Sequence, residues 1–194
     1  MAITIIVLLI IIAAAGLYTV EQQHVAMVER FGKFVKVSQP GIHVRIPIVD
    51  QIAGRPSLRV LQLDNMIQTK TKDNVFVNVQ VPVQYCIDPN NIVEAFYKLN
   101  KPEIQIKAYV EDAIRSAIPG LTLDDAFEKK DDIAKTVQEI ITEEMSKFGF
   151  IILKALITEI DPDEKVRASM NDINAAQRQR AAAQELAEAD KIKV

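Results

Sequence analysis

The feature that most constrains this sequence is an uncharged apolar run at its N-terminus. From Ala2 to Val20 no residue carries a charge, and a run of about this length is what a helix needs to cross the hydrocarbon core of a bilayer. We therefore predict a transmembrane helix over residues 1–20, in which the anchoring side chains are Ile3, Ile6, Leu9, Ile10, Leu17 and Tyr18. A cleaved signal peptide is the competing interpretation, because three consecutive alanines (13–15) resemble a cleavage site, but the basic segment that opens a signal peptide is missing.

The basic residues around this run predict how it is oriented. No base precedes the run, whereas Arg30, Lys33 and Lys36 follow it closely. Because positive charge near the end of a membrane helix marks the cytoplasmic side, we predict a single-pass protein whose body faces the cytoplasm.

Composition excludes some functions for the body. Half of the chain is apolar (49%), which suffices for a hydrophobic core, and the formal net charge is −3. This balance gives no basic footprint for a phosphate backbone, so nucleic acid is not expected as a partner. The single cysteine, Cys86, cannot form an intramolecular disulfide and is interpreted as a small strand residue.

The first half of the body, residues 21–88, is predicted to be mainly β-sheet. The clearest strand is Val75 to Ile87, where apolar residues alternate with more polar ones at a period of two. A second run, Leu58 to Ile67, is expected to pair with it in antiparallel fashion, and Gly32-Lys33 is expected to turn an upstream hairpin. Pro82 predicts an edge strand or a bulge, because proline cannot donate to a ladder.

The second half, residues 89–160, changes to a helical period. We predict helices beginning near Ile92, at Pro102 and at Thr122, where Thr122 and Asp125 form a variant of the capping box, and a last strand between residues 150 and 160.

The final segment, residues 161–194, is predicted to be the start of a long helix. Asp161 as the N-cap, Pro162 at the first helical position and Glu164 form a capping box, and neither Gly nor Pro follows. Steps of eleven residues connect its apolar positions better than heptads, which favours side-by-side packing of nearly straight helices. The expected oligomerisation residues are Met170, Ile173, Ala176, Ala181, Leu186, Ala187 and Ile192.

No pattern in the sequence predicts catalysis. His24 and His43 lack a nearby cluster of cysteines or carboxylates with metal-ligand spacing, and the paired acids suit the N-terminal turns of helices. We predict no catalytic residue, no cofactor and no metal site.

Several strings resemble the superfamily of stomatin, prohibitin, flotillin and HflK/C, whose shared module is called the SPFH or band 7 domain, and among its members most of all the hypersensitive-induced-response proteins. The strings are Val25–Phe34, Gln39–His43, Ser57–Asp64, Thr69–Val79, Ala95–Leu99, Asn171–Ala176 and Ala187–Ile192. The resemblance implies an α+β fold with two small α/β subdomains on the membrane and a long helix that packs beside its copies in rings or cages.

The resemblance also implies a function and its partners. The expected function is an oligomeric membrane scaffold whose partners are other copies of the chain and membrane lipids. A regulatory subunit that binds a membrane protease is the first alternative, and an enzyme with an unrecognised site is the second. Relatives continue beyond the position of Val194, so the resemblance implies a longer helical segment than the one seen here.

Overall fold

The computed structural model describes residues 15–192, with side chains up to Gln184 except that of Asn174. The described elements, in chain order, are β1 (Leu17–Val20), β2 (Ala26–Arg30), β3 (Lys33–Ser38), β4 (Gly41–Val44), β5 (Asp50–Gly54), β6 (Leu61–Lys70), β7 (Phe76–Ile87), α1 (Ile92–Tyr97), α2 (Pro102–Ala117), a 3-10 turn (Ile118–Gly120), α3 (Leu123–Glu128), α4 (Lys130–Ser146), β8 (Phe150–Ala155), β9 (Glu159–Pro162) and α5 (Glu164–Ile192). The predicted mixture of antiparallel strands and helices, ending in a long helix, is confirmed.

The chain folds into two compact units, and each of them is built from separated stretches of sequence. The first contains the described residues up to Leu63, Val83–Tyr109 and Gln138–Ala155, and the second contains Asp64–Pro82, Val110–Val137 and the residues from Leu156 onward. The sequence had instead predicted consecutive subdomains, 21–88 and 89–160.

The first unit has two small antiparallel sheets, one with the strand order β3-β2-β5 and one made of β1 and β4. Strand β2 is buried on both faces. Val25 and Met27 pack in one cluster with Ile92 of α1, while Ala26 and Val28 pack in another with residues of β1. The first three residues of β2 are therefore all apolar rather than alternating, whereas Glu29 and Arg30 at its end are charged.

The predicted transmembrane helix is wrong for its last four residues. Leu17–Val20 form strand β1, which pairs with β4, and Tyr18 is buried with its hydroxyl 2.5 Å from the Ser38 hydroxyl. Tyr18 therefore packs in a protein core instead of anchoring the chain in a bilayer. Residues 1–14 lie outside the described part of the chain. Within residues 15–192, no helix combines the length and the apolar character that crossing a membrane requires.

The long alternating strand was predicted well, except for the meaning of its proline. Strand β7 pairs with β6 and buries the alternating residues Val77, Val79, Val81, Val83 and Tyr85. It is not an edge strand, because β8 and β9 both pair along its other side.

Pro82 of β7 lies where the partner strand changes. Strand β9 pairs with β7 as far as Gln80, and β8 pairs with it from Val83 onward. Pro82 has no backbone N–H, and it lies between the two paired segments of β7. The lack of this donor therefore removes no hydrogen bond of either pairing.

The predicted cap at Thr122 is confirmed. Thr122 is the N-cap of α3, where its Oγ1 accepts from the Asp125 backbone N–H at 3.2 Å and donates to the Asp125 carboxylate at 2.7 Å. Helix α4 ends before Gly149, which has a φ of 78°.

The predicted start of the last helix is wrong by a few residues. Asp161 and Pro162 belong to β9, which pairs with β7, and helix α5 begins at Glu164. The carbonyl of Asp163 accepts the first helical hydrogen bond, from the N–H of Val166 at 2.9 Å. The strand pairing outweighs the local capping preference, since it satisfies the same backbone groups in a ladder.

Candidate functional site

The strand registers of the first unit bring three separate segments to one end of its sheets. Arg30 of β2 pairs with Asp50 of β5, so the turn after Arg30 and the loop before Asp50 lie at the same end. Leu17 pairs with Val44, so the beginning of β1 lies beside the chain that leaves β4 for this loop. We call this end, with the turn 31–32 and the loop 45–49, the apolar end.

Phe31 projects from the turn between β2 and β3. It is 84% exposed, and both Phe31 and Gly32 have positive φ, 50° and 77°. Two successive positive φ values are typical of the tight turns that suit twisted hairpins, and such turns prefer Asn-Gly at these positions. A large aromatic residue is therefore held in a conformation that favours a small polar one.

Ile48 projects from the loop between β4 and β5 and is 95% exposed. Its φ is 73°, which is unusual for a β-branched residue. The loop is closed on itself, because the Ile46 N–H donates to the Asp50 carboxylate at 3.0 Å and the Asp50 N–H donates to the Ile46 carbonyl at 2.9 Å. This double closure places Ile48 at the tip.

Among the described large apolar residues, Phe31 and Ile48 are the two most exposed. Within residues 15–192, the other non-glycine residues with positive φ are the polar residues Gln23, Asn74 and Lys101. Backbone strain that persists at an exposed position requires a reason outside local preference, and such strain is concentrated at functional sites.

The outward face of the β1–β4 pair extends the apolar surface. Leu17, Ile42 and Val44 are all exposed on it, while Tyr18 and His43 face the other way with their ring centres 5.6 Å apart. With Phe31, Ile46 and Ile48, the first unit exposes six large apolar side chains on these short strands, this turn and this loop. Large apolar side chains exposed together at one end of a unit are typical of a contact with a membrane or another protein.

A buried carboxylate organises the apolar end from within. Asp50 is 5% exposed, and Arg30 donates to it from Nε at 2.8 Å and from Nη2 at 3.4 Å. The hydrogen bond from Arg30, the backbone N–H of Ile46 and the positive charge of nearby Lys36 hold the pKa of Asp50 below its usual range. The carboxylate is thus charged at neutral pH and keeps the loop closed.

The sequence-predicted anchor residues have three outcomes. Ile3, Ile6, Leu9 and Ile10 lie outside the described residues, Leu17 is exposed at the apolar end, and Tyr18 is buried. The sequence interpretation missed Phe31, Ile46 and Ile48 as functional candidates. The pattern from Ile42 to Ile46 predicted a strand, but β4 ends at Val44 and the side chains of Ile46 and Ile48 are exposed.

The predicted oligomerisation residues lie on helix α5, whose 29 residues extend over about 43 Å. Ile173, Ala176 and Ala181 are exposed, and Met170 is half-buried. Leu186, Ala187 and Ile192 follow on the same helix, beyond the described side chains. Apart from Val166 and Met170, the described side chains of α5 are exposed, so this helix buries little of itself against its own unit.

The residues with catalytic potential are held in structural roles. His24 lies 3.3 Å from the Gln22 carbonyl and His43 lies 2.6 Å from the Gln39 carbonyl. Burial, followed by the charge of Asp88, raises the pKa of the Cys86 thiol, which disfavours the reactive thiolate. No group of three or more His, Cys, Asp or Glu side chains within residues 15–192 could hold a metal ion.

A shallow hollow of about 300 Å³ in the first unit carries mostly apolar residues, among them Leu61, Phe96 and Phe150. The Tyr85 hydroxyl at its wall donates to Glu103 at 3.4 Å. Burial and the neighbouring charge of Glu103 raise the pKa of Tyr85 to about 12, so this phenol is neutral at physiological pH.

Strained apolar tips on a small β unit, followed by a long and mostly unburied helix, define a class of protein that exposes surfaces for association. Comparison with known proteins identifies the family. The model of the SPFH domain / Band 7 family matches residues 18–191. This protein belongs to that family.

Two relatives illustrate the relationship. The chain is 44% identical over 174 residues to hypersensitive-induced response protein 4 of Arabidopsis thaliana, covering 89% of this chain and 60% of the relative. It is 28% identical over 165 residues to human mitochondrial stomatin-like protein 2, covering 84% of this chain and 46% of that protein. The predicted likeness to stomatins and hypersensitive-induced-response proteins is confirmed, and the chain spans about half the length of these relatives.

Proposed function

We propose that this protein is a membrane-bound scaffold that lies on the bilayer through the apolar end of its first unit and self-associates through helix α5. The observation that carries the proposal is the pair of strained, almost fully exposed apolar residues, Phe31 and Ile48, at one end of the sheet. Family membership supports a membrane-associated scaffold in general.

The apolar end suits the surface of a bilayer for two reasons. Full burial of a Phe or Ile side chain is worth about 1.5–3 kcal/mol, so several such residues at one end favour an apolar environment strongly. The apolar end also adjoins the beginning of β1, and the uncharged run of residues 1–14 precedes this strand in the sequence. We propose that this run is the membrane anchor and that the body faces the cytoplasm.

The proposed self-association depends on the exposure of α5. Most helical stability in proteins comes from tertiary packing of one face rather than from intrinsic propensity. A helix of 29 residues with few large apolar residues and little burial in its own unit therefore suits packing against identical helices, where its alanines allow close approach. Repetition around a closed symmetry would produce a ring.

We further propose that the protein acts without catalysis of its own. The roles of the histidines and of Cys86 described above support this, as does the family. The alternative function, regulation of a membrane protease, has no specific observation in its favour among the described residues.

The membrane contact can be tested by fluorescence, because the chain contains no tryptophan. Single Phe31→Trp and Ile48→Trp variants of the full chain, reconstituted in vesicles, should show blue-shifted emission and quenching by brominated lipids. Phe76→Trp is the matched control, because Phe76 is also exposed but lies in the second unit. Equal quenching of all three variants would refute contact through the apolar end.

The assembly can be tested by sedimentation velocity of the full chain in detergent. Ala176→Glu and Ala181→Glu should each reduce the particle mass, whereas Gln179→Glu places the same charge on the same exposed helix at a polar position and should not. If none of the three changes lowers the mass, helix α5 is not the assembly element.

A further inference from the structure

Four bases lie on the strands and the loop that form the apolar end. Arg30 and Lys33 lie directly opposite each other on β2 and β3, Arg45 begins the loop that carries Ile48, and Lys36 is close enough to lower the pKa of Asp50. We call Arg30, Lys33, Lys36 and Arg45 the basic cluster. Among the described residues, the ion pair that this cluster forms is the one between Arg30 and Asp50.

Arg45 is the least satisfied member of the basic cluster. Its Nη1 donates to the backbone carbonyl of Asp50 at 3.4 Å, which is a long hydrogen bond. Its Nε–H is shielded from solvent and has no hydrogen-bond partner among the described residues. An arginine donor that is removed from water without a partner is costly, and an additional acceptor would relieve this cost.

Lys33 is also available. It is exposed at the first position of β3, beside the Phe31 turn, and forms no ion pair with another described residue. Arg30 differs from both, because its bond to the buried Asp50 carboxylate fixes it as part of the fold. Arg45 and Lys33 are therefore members of the basic cluster that can bind something else.

The position of the cluster selects the ligand. The backbone N–H of Arg45 donates to the Gly16 carbonyl at 2.8 Å, so Arg45 lies where the chain arrives from the N-terminal apolar run. Exposed Ile46 and Ile48 follow it directly, and Phe31 immediately follows Arg30 and lies two residues before Lys33. Apolar tips beside unpaired guanidinium and ammonium groups match the boundary between acyl chains and phosphate headgroups.

We propose that Arg45 and Lys33 bind the phosphate group of an anionic phospholipid. The apolar end would then recognise the charge of the lipid headgroup as well as the acyl chains. This inference rests on the proposed membrane contact and adds a headgroup specificity to it. An accepting phosphate oxygen would give Arg45 the strong, charge-assisted bond that the protein itself does not provide.

The test measures energy transfer from the tryptophan of the full-length Phe31→Trp variant to a trace of dansyl-labelled lipid in vesicles. At equal lipid content, energy transfer from the tryptophan to dansyl-phosphatidylserine should be roughly fivefold greater than to dansyl-phosphatidylcholine. The reason is that basic side chains near a membrane surface are attracted to anionic lipids. Adding Lys33→Gln and Arg45→Gln should abolish the difference. The control pair Lys107→Gln and Lys135→Gln removes the same charge from exposed positions on helices and should leave the difference intact.

Each result has a separate meaning. The headgroup proposal would be overturned by equal energy transfer to both lipids when the basic cluster is intact. It would also be overturned if the control pair of substitutions removed the preference for phosphatidylserine. In both cases, energy transfer to phosphatidylcholine would still support the membrane contact. Absence of transfer to both lipids would refute the membrane contact itself. If millimolar inorganic phosphate removes the preference at matched ionic strength, the site takes free phosphate and the lipid assignment is overturned.

Discussion

Replacing Ile48 with asparagine should stabilise the fold while weakening membrane contact. An L-residue in the left-handed region costs about 1–2 kcal/mol, and asparagine tolerates this region far better than a β-branched residue. Because Ile48 is 95% exposed and its loop is closed by Ile46 and Asp50, the change removes almost no packing. We expect the free energy of unfolding to rise by about 1 kcal/mol, which is about 2–4 °C in melting temperature for a chain of this size.

The same change should act in the opposite direction at the bilayer. Loss of an isoleucine side chain removes up to about 1.5–3 kcal/mol of apolar transfer. In the Phe31→Trp background, Ile48→Asn should therefore reduce quenching of the tryptophan by brominated lipids, since both residues lie at one end of the sheet.

Circular dichroism melts in mild detergent measure the stability, and Ile42→Asn is the matched control. Ile42 is 75% exposed in β4 without a positive φ, so its replacement removes apolar surface without relieving strain. The melting temperature should rise for Ile48→Asn alone. If both variants have the same melting temperature, or if that of Ile48→Asn is lower, the backbone at Ile48 is not strained.

Three further predictions follow from other residues. Gly149→Ala should lower the free energy of unfolding by about 2–4 kcal/mol in urea titrations, because Gly149 has a φ of 78° and an added Cβ would lie 2.6 Å from a backbone carbonyl oxygen. Gly120→Ala is the control, because the space around Gly120 is open. It should change the free energy of unfolding by less than about 1 kcal/mol. Asp50→Asn should destabilise the fold at neutral pH, and the deficit should shrink below about pH 4, because a carboxylate with a lowered pKa stabilises only while it stays ionised. An engineered Asn100→Cys thiol, with Cys86 replaced by alanine, should resist an impermeant maleimide in intact cells and react after lysis; labelling of intact cells would place the body outside the cytoplasm.

Periodicity predicted the parts of the fold in which burial alone decides the conformation. The alternation from Val75 to Ile87 became β7, and the uninterrupted final segment became α5. Errors arose where long-range pairing outweighed a local signal. Asp161 and Pro162 look like a helix start but pair with β7.

The same cause limited the prediction of the site. Leu17 and Tyr18 continue an apolar run in the sequence, but β4 lies beside them in the fold and draws them into a sheet. Side-chain exposure on short strands could not be read from alternation, since the pattern shows that two faces differ without showing which face is covered.

The apolar end is a property of strand register, which explains why no single motif predicts it. Residues near positions 16, 31 and 48 are distant in sequence, and they meet because Arg30 pairs with Asp50 and Leu17 pairs with Val44. A shift of one residue in either pairing would turn the facing side chains to the opposite side of the sheet. Two of the segments that meet there also hold a large apolar residue in a backbone conformation that its side chain disfavours. Local preference and global structure disagree at the same end where apolar exposure is greatest, and such disagreement is expected where a surface is kept for binding rather than for stability.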